Sequence, residues 1–89
     1  MGQAEGWPLA MQARTLMEAH GAVGRLQPAP GAEPQVRREF HQRSAQVYAL
    51  VAEVDRGHHH EAVYWANRER AKAEEIGREL RGRSDATSA

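Results

Sequence analysis

Three consecutive histidines, His58-His59-His60, lie between two carboxylates, Asp55 and Glu61. Imidazole and carboxylate are ligands for zinc, nickel or copper, and together they are the raw material of acid–base catalysis. The spacing works against a metal. Consecutive residues on a helix point about 100° apart, so the three imidazoles diverge. Their i+4 neighbours are Ala62, Val63 and Tyr64, which supply no ligand that suits such a metal. Asp55, His58, His59 and Glu61 are the candidates if a metal is held at all. His41 is far along the chain, and His20 reaches the run only if the N-terminal helix docks on that side. The expectation is no metal and no cofactor. His58 and His59 are expected instead to close the end of the core over Val54 with one ring nitrogen on the backbone, while His60 points away. Because the run opens a helix, positive charge is disfavoured there. At least one of these histidines is therefore expected below its ordinary pKa, with stability falling as pH drops from roughly 7.5 to 5.5.

Other reaction chemistry has less support. Glu61, Glu69 and the histidines lack a recognisable orienting partner, and a general base needs one. The chain has no cysteine and no serine in a G-x-S-x-G elbow. Gly21-x-x-Gly24 lacks the lysine and preceding strand of a phosphate loop. No catalytic residue is assigned, and the protein is not expected to be an enzyme. Arg37, Arg38 and Arg43 cluster in one segment, and Arg68, Arg70, Lys72, Arg78, Arg81 and Arg83 in another. Glu69, Glu74, Glu75 and Glu79 are interleaved with the second group. Such mixing makes a salt-bridged surface rather than a basic stripe for nucleic acid.

Composition narrows the field further. Eighty-nine residues allow one small domain, and twelve basic side chains balance twelve acidic ones. No global field draws the chain to nucleic acid or membrane. Without cysteine there is neither disulfide nor thiolate metal site. No apolar run approaches the ~20 residues of a membrane span, and no signal-peptide pattern is present. A cytoplasmic protein is expected.

The elements that must position these residues are helices. Residues 1–6 read as a disordered lead, 7–82 as one helical domain and 83–89 as a disordered tail. Leu9, Ala13, Leu16, His20 and Val23 recur at helical spacing, with Met17 on the flank and Pro8 in the first turn, so a first helix is expected over about 8–24. Three prolines and a glycine between Pro28 and Pro34 make a connection. A second helix is expected over about 34–56, with Val36, Phe40, Val47, Leu50, Val51 and Val54 as its apolar stripe. A third is expected over about 58–81, burying Ala62, Trp65, Ala66, Ala73, Ile76 and Leu80, with Gly82 as its cap. Gly57, able to take a left-handed conformation, ends the second helix. The fold class is all-α: three helices dominated by a long antiparallel hairpin, with the shorter first helix lying over Phe40, Val47 and Trp65. Folding back at Gly57 sets Leu50 against Ala62, Val47 against Trp65 and Val36 against Ile76. It also sets Arg43 against Glu69, two charges that each break an apolar stripe. An interhelical ion pair Arg43–Glu69 is expected to fix the register.

The order Gly57-x-x-x-Glu61-Ala62-x-x-Trp65 resembles the turn of a single tetratricopeptide-like hairpin, with no second copy at the ~34-residue period of a solenoid. The longer string Asp55-Arg56-Gly57-His58-His59-His60-Glu61-Ala62-Val63-Tyr64-Trp65-Ala66 resembles the core of a family of small uncharacterised proteins from high-G+C bacteria, over about Thr15 to Leu80. That resemblance implies a small helical protein and carries no activity.

On the face of the third helix opposite Ala62, Ala73 and Leu80, Tyr64 is ringed by His60, Asn67, Arg68 and Ala71. Tyrosine and arginine are frequent at the energetic centres of interfaces. The expected function is a small protein-interaction module, an adaptor or regulatory partner, docking through this face on a protein of unknown identity or on a second copy. A small DNA-associated regulator is the alternative. A metal-binding or enzymatic bundle using the histidine run is the third.

Overall fold

Thr15 divides the N-terminal segment. Its backbone is extended, at φ −131° and ψ 157°, and its hydroxyl accepts from the Glu18 N–H at 3.1 Å. The Glu18 carboxylate reaches back to accept from the Arg14 N–H at 2.8 Å. This variant of the capping box starts a new helix where one continuous helix was expected over 8–24. The result is α1, Gln3–Ala10, and α2, Leu16–Arg25. The computed structural model describes the backbone from Gln3 to Ser88 and the side chains from Gly6 to Arg83. Met1, Gly2 and Ala89, parts of the expected lead and tail, lie outside the described residues. Pro8 sits inside α1 rather than in its first turn, because α1 begins at Gln3.

Helix α3 spans Pro34–Val54, with Pro34 in its opening turn where the missing N–H costs nothing. It ends because Asp55 leaves the helical region, at φ −98° and ψ 76°. The chain reverses through a 3₁₀ turn, Arg56–His58, into α4, His59–Ser88. Gly57 lies in that turn without a left-handed φ, so Asp55 rather than Gly57 breaks the helix. Helix α4 passes through Gly82, the expected cap, and is 30 residues long. All the described regular structure is helical, and the α3–α4 hairpin gives the molecule its 50 Å long axis.

Helix α4 buries Ala62, Ala66, Ala73 and Ile76, with Leu80 and Trp65 partly covered, as its spacing predicts. Helix α3 turns differently from expectation. Phe40, Val47 and Val51 are buried, but so are Ser44, Ala45, Tyr48 and Ala52. Val36, Leu50 and Val54 stand 41%, 47% and 48% exposed. The cause is the number of neighbours. Helix α4 meets α3 at Ala52 and Tyr48, while α1 sets Trp7 on Phe40 and α2 sets His20 on Tyr48. The buried arc is therefore centred between the two contacts, and the outer aliphatic residues fall beyond it. Trp7 of α1 is the main anchor, buried with its ring 5.9 Å from that of Phe40.

Candidate functional site

The hairpin tip gathers most of the residues that could do chemistry. The Asp55 carboxylate accepts from the Leu16 N–H at 2.9 Å, so it caps the first turn of α2. It also takes the Nδ1–H of His58 at 3.0 Å. One carboxylate thus ties the start of α2 to the turn before α4. Two N–H donors hold its charge: the Leu16 N–H first and His58 second, and the carboxyl lies below its ordinary 3.8. The same hydrogen bond, helped by the Asp55 charge, raises His58 above the ordinary 6.5. For His58 the direction is opposite to the depression expected of at least one histidine in the run. The helix dipole opposes charge on the His58 ring, but a carboxylate at 3.0 Å outweighs it.

His59 donates from Nδ1 to the Ala52 carbonyl at 2.7 Å, satisfying a carbonyl in the last turn of α3. It is the histidine that closes the core end on a backbone group. His60 points to solvent, its ring 5.4 Å from that of His59 and 73° to it. Among the described residues no three His, Asp or Glu side chains are placed to hold a metal ion. Of the metal candidates, His58 spends Nδ1 on Asp55, His59 spends its own on Ala52, and Glu61 is in the first turn of α4.

Thr15, Leu16, Met17, His20, Asp55, His58 and Glu61 line a groove of about 530 Å³ between the start of α2 and the start of α4. Its walls are mainly carbon. His20 belongs to this wall because α2 docks on the hairpin with that ring 5.3 Å from Tyr48 and 5.0 Å edge-on to Trp65. The Tyr48 hydroxyl and His20 Nδ1 share a hydrogen bond of 2.7 Å. Tyr48 is buried, and that burial, with the Glu69 charge nearby, pushes its phenol up to about 12 against a smaller opposing effect of Arg68. The phenol keeps its proton and serves as a fixed donor. The sequence reading did not place Tyr48 at all. The signal for the helix break was there in Thr15-x-x-Glu18, a capping-box spacing.

Below the tip, Arg43 and Glu69 do not become partners. Glu69 is buried and bonds His41, Nδ1 to Oε1 at 2.8 Å, with Arg68 at 4.0 Å. Arg43 turns along its own helix to Glu39, Nη2 to Oε1 at 2.9 Å. The level of the crossing is near that expected, but the rotation of α3 brings His41 to the α4 side and leaves Arg43 at the margin. The outer face of α4 is as the spacing implies. His60, Tyr64, Asn67, Arg68 and Ala71 are all exposed, Tyr64 by 60%. Arg68 lies over the Trp65 ring at 5.1 Å, and Tyr64 meets the edge of that ring at 5.5 Å. Asn67 accepts from Arg70 at 2.8 Å.

The opposed shifts at the tip predict a pH optimum. A lowered carboxyl adds stability that is present above its unfolded value, 3.8, and lost as pH falls through the folded one. A raised imidazole adds stability that is complete below 6.5 and lost as pH rises through its folded value. Melting temperature is expected to be higher at about pH 5.5 than at about pH 8, the reverse of the expectation from the helix dipole alone. His58→Ala should flatten this upper slope. Thermal melts across that range, on parent and variant, check it; a parent curve that climbs toward pH 8 would contradict the Asp55–His58 assignment.

Comparison with protein-family models, with curated proteins and with solved structures finds no match to this chain. No helix among the described residues is long and apolar enough to cross a membrane.

Proposed function

We propose that this protein is a small protein-interaction module, an adaptor or regulatory partner that works through the surface of its helical hairpin. One observation carries the reading. The hairpin leaves Val36, Leu50 and Val54 of α3 and Tyr64 of α4 in solvent, while it buries mainly alanine and valine. A chain of 89 residues has few large apolar side chains, and placing four of them outside on the hairpin offers surface to a partner. The outer face of α4 supports it with anchor types. Tyr64 stands beside Arg68, and Ala71 allows a close backbone approach.

The test uses Tyr64→Ala, which removes an exposed ring and should leave helicity and melting temperature nearly unchanged. Self-association or partner capture should weaken by roughly 2 kcal/mol, about thirtyfold. Sedimentation and calorimetry on the purified variant beside its parent supply the measurement. Unchanged affinity would remove the α4 face from the interface. Leu50→Gln, tested in the same way, reports on the α3 edge; unchanged binding in both variants would defeat the proposal.

A further inference from the structure

We propose that the groove at the hairpin tip is a binding site for a small organic ammonium carrying an aryl or branched-alkyl body. The site adjoins the hairpin faces assigned above without including their apolar residues, and its volume of about 530 Å³ falls within the range of small-molecule sites. Its shape is held firmly. Leu16 is buried at the base, and the His20 ring is locked by the Tyr48 hydroxyl and by the edge contact with Trp65. Met17 stands at the rim, 83% exposed. A thioether side chain placed so openly adapts to a flat or branched apolar body.

The charges decide the ligand. Asp55 is already engaged by the Leu16 N–H and by His58, so its charge serves the fold. The Asp55–His58 pair leaves little charge of its own facing the groove. Glu61 is different. It lines the same groove, is exposed, and accepts no hydrogen bond from another described residue. Its charge acts on the His58 ring nearby, but no hydrogen bond holds it, so it is the groove carboxylate open to a ligand. An ammonium paired with Glu61 lays its apolar body along Leu16, Met17 and the His20 ring. An anion of the same shape meets the Glu61 charge and is repelled. The cation is therefore placed at the Glu61 end of the groove and the apolar body at the α2 end.

The probe is 2-phenylethylammonium, with 3-phenylpropionate as its counterpart of similar length and opposite charge. Each is titrated into the isotope-labelled full chain while the backbone amide signals are followed. The amine is expected to saturate with a Kd of about 1 mM or tighter, in keeping with its few heavy atoms. Its shifts should centre on Leu16, Met17, His20, His58 and Glu61. The propionate should bind at least tenfold more weakly, and Glu61→Gln should weaken the amine by a similar factor. Met17→Ser, at an exposed position that cannot unfold the core, should weaken it severalfold. Val36→Ser, at the far end of the hairpin from the tip, should leave it unchanged. The proposal is overturned if the propionate binds as well as the amine, or if Glu61→Gln leaves amine affinity intact. Shifts centred elsewhere, or no saturation, overturn it equally. None of those outcomes bears on the hairpin faces, which are read by self-association and partner capture.

Discussion

His41→Ala is expected to destabilise the protein by about 3 kcal/mol, and so to lower its melting temperature by roughly 15 °C. The expectation rests on the level of the hairpin where Glu69 lies buried between α3 and α4. Among the described residues its carboxylate has one close partner, His41 Nδ1 at 2.8 Å; the Arg68 guanidinium is at 4.0 Å. Removing the imidazole strands a buried carboxylate without its donor, and that desolvation is the main cost. The two single truncations should not be equal. Glu69→Leu removes the buried charge and fills its space, leaving only the more exposed imidazole unpaired. It should cost less than His41→Ala. The double variant His41→Leu with Glu69→Leu should approach the parent, since a buried polar pair is replaced by packed carbon. Arg43→Ala should change stability by no more than about 0.5 kcal/mol, because its partner is the exposed Glu39 one turn away. Denaturant melts on these four proteins form the test. A His41→Ala loss within 0.5 kcal/mol of zero, or an Arg43→Ala loss that exceeds it, would reverse the assignment.

Tyr48→Ala should be the more damaging change, at about 4 kcal/mol. Tyr48 is buried where three helices meet. Its ring stacks 6.0 Å from Trp65 of α4, and its hydroxyl holds His20 of α2 at 2.7 Å. Truncation leaves a cavity the size of a ring at the junction, and partial collapse recovers only part of the loss. Tyr48→Phe separates the two roles of the side chain. It keeps the stack and drops the hydroxyl, and should cost about 1 kcal/mol. The Phe variant has a second readout. His20 loses the bond that orients it, so its ring signals should broaden or shift while those of Trp65 stay near the parent values. An equal loss in the Ala and Phe variants would mean that the hydroxyl alone mattered. No loss in either would mean that α2 does not dock on this ring.

By itself the sequence determined the elements that depend on local chemistry. The prolines from Pro28 to Pro34 had to interrupt helix, and the helical spacing of Ala62, Ala66, Ala73 and Ile76 had to give α4 one buried face. That face put Tyr64 and its neighbours outside, as the structure also has them. The helix break at Thr15 was equally local, carried by Thr15 and Glu18, though apolar spacing running through Leu16 concealed it. Tertiary structure decided the rotation of α3. Val36, Leu50 and Val54 are a better apolar stripe than Ser44, Ala45 and Ala52 on hydropathy alone. They are exposed because α3 is held between two neighbours, and small residues let α4 approach on one side while the N-terminal helices cover the other. A rotation of that kind leaves no local mark in the chain. It moved Glu69 from Arg43 to His41, brought Tyr48 inside, and aimed His20 at the tip. The fate of Asp55 was decided in the same way. Its partner, the Leu16 N–H, is 39 residues away along the chain and beside it only once α2 has docked.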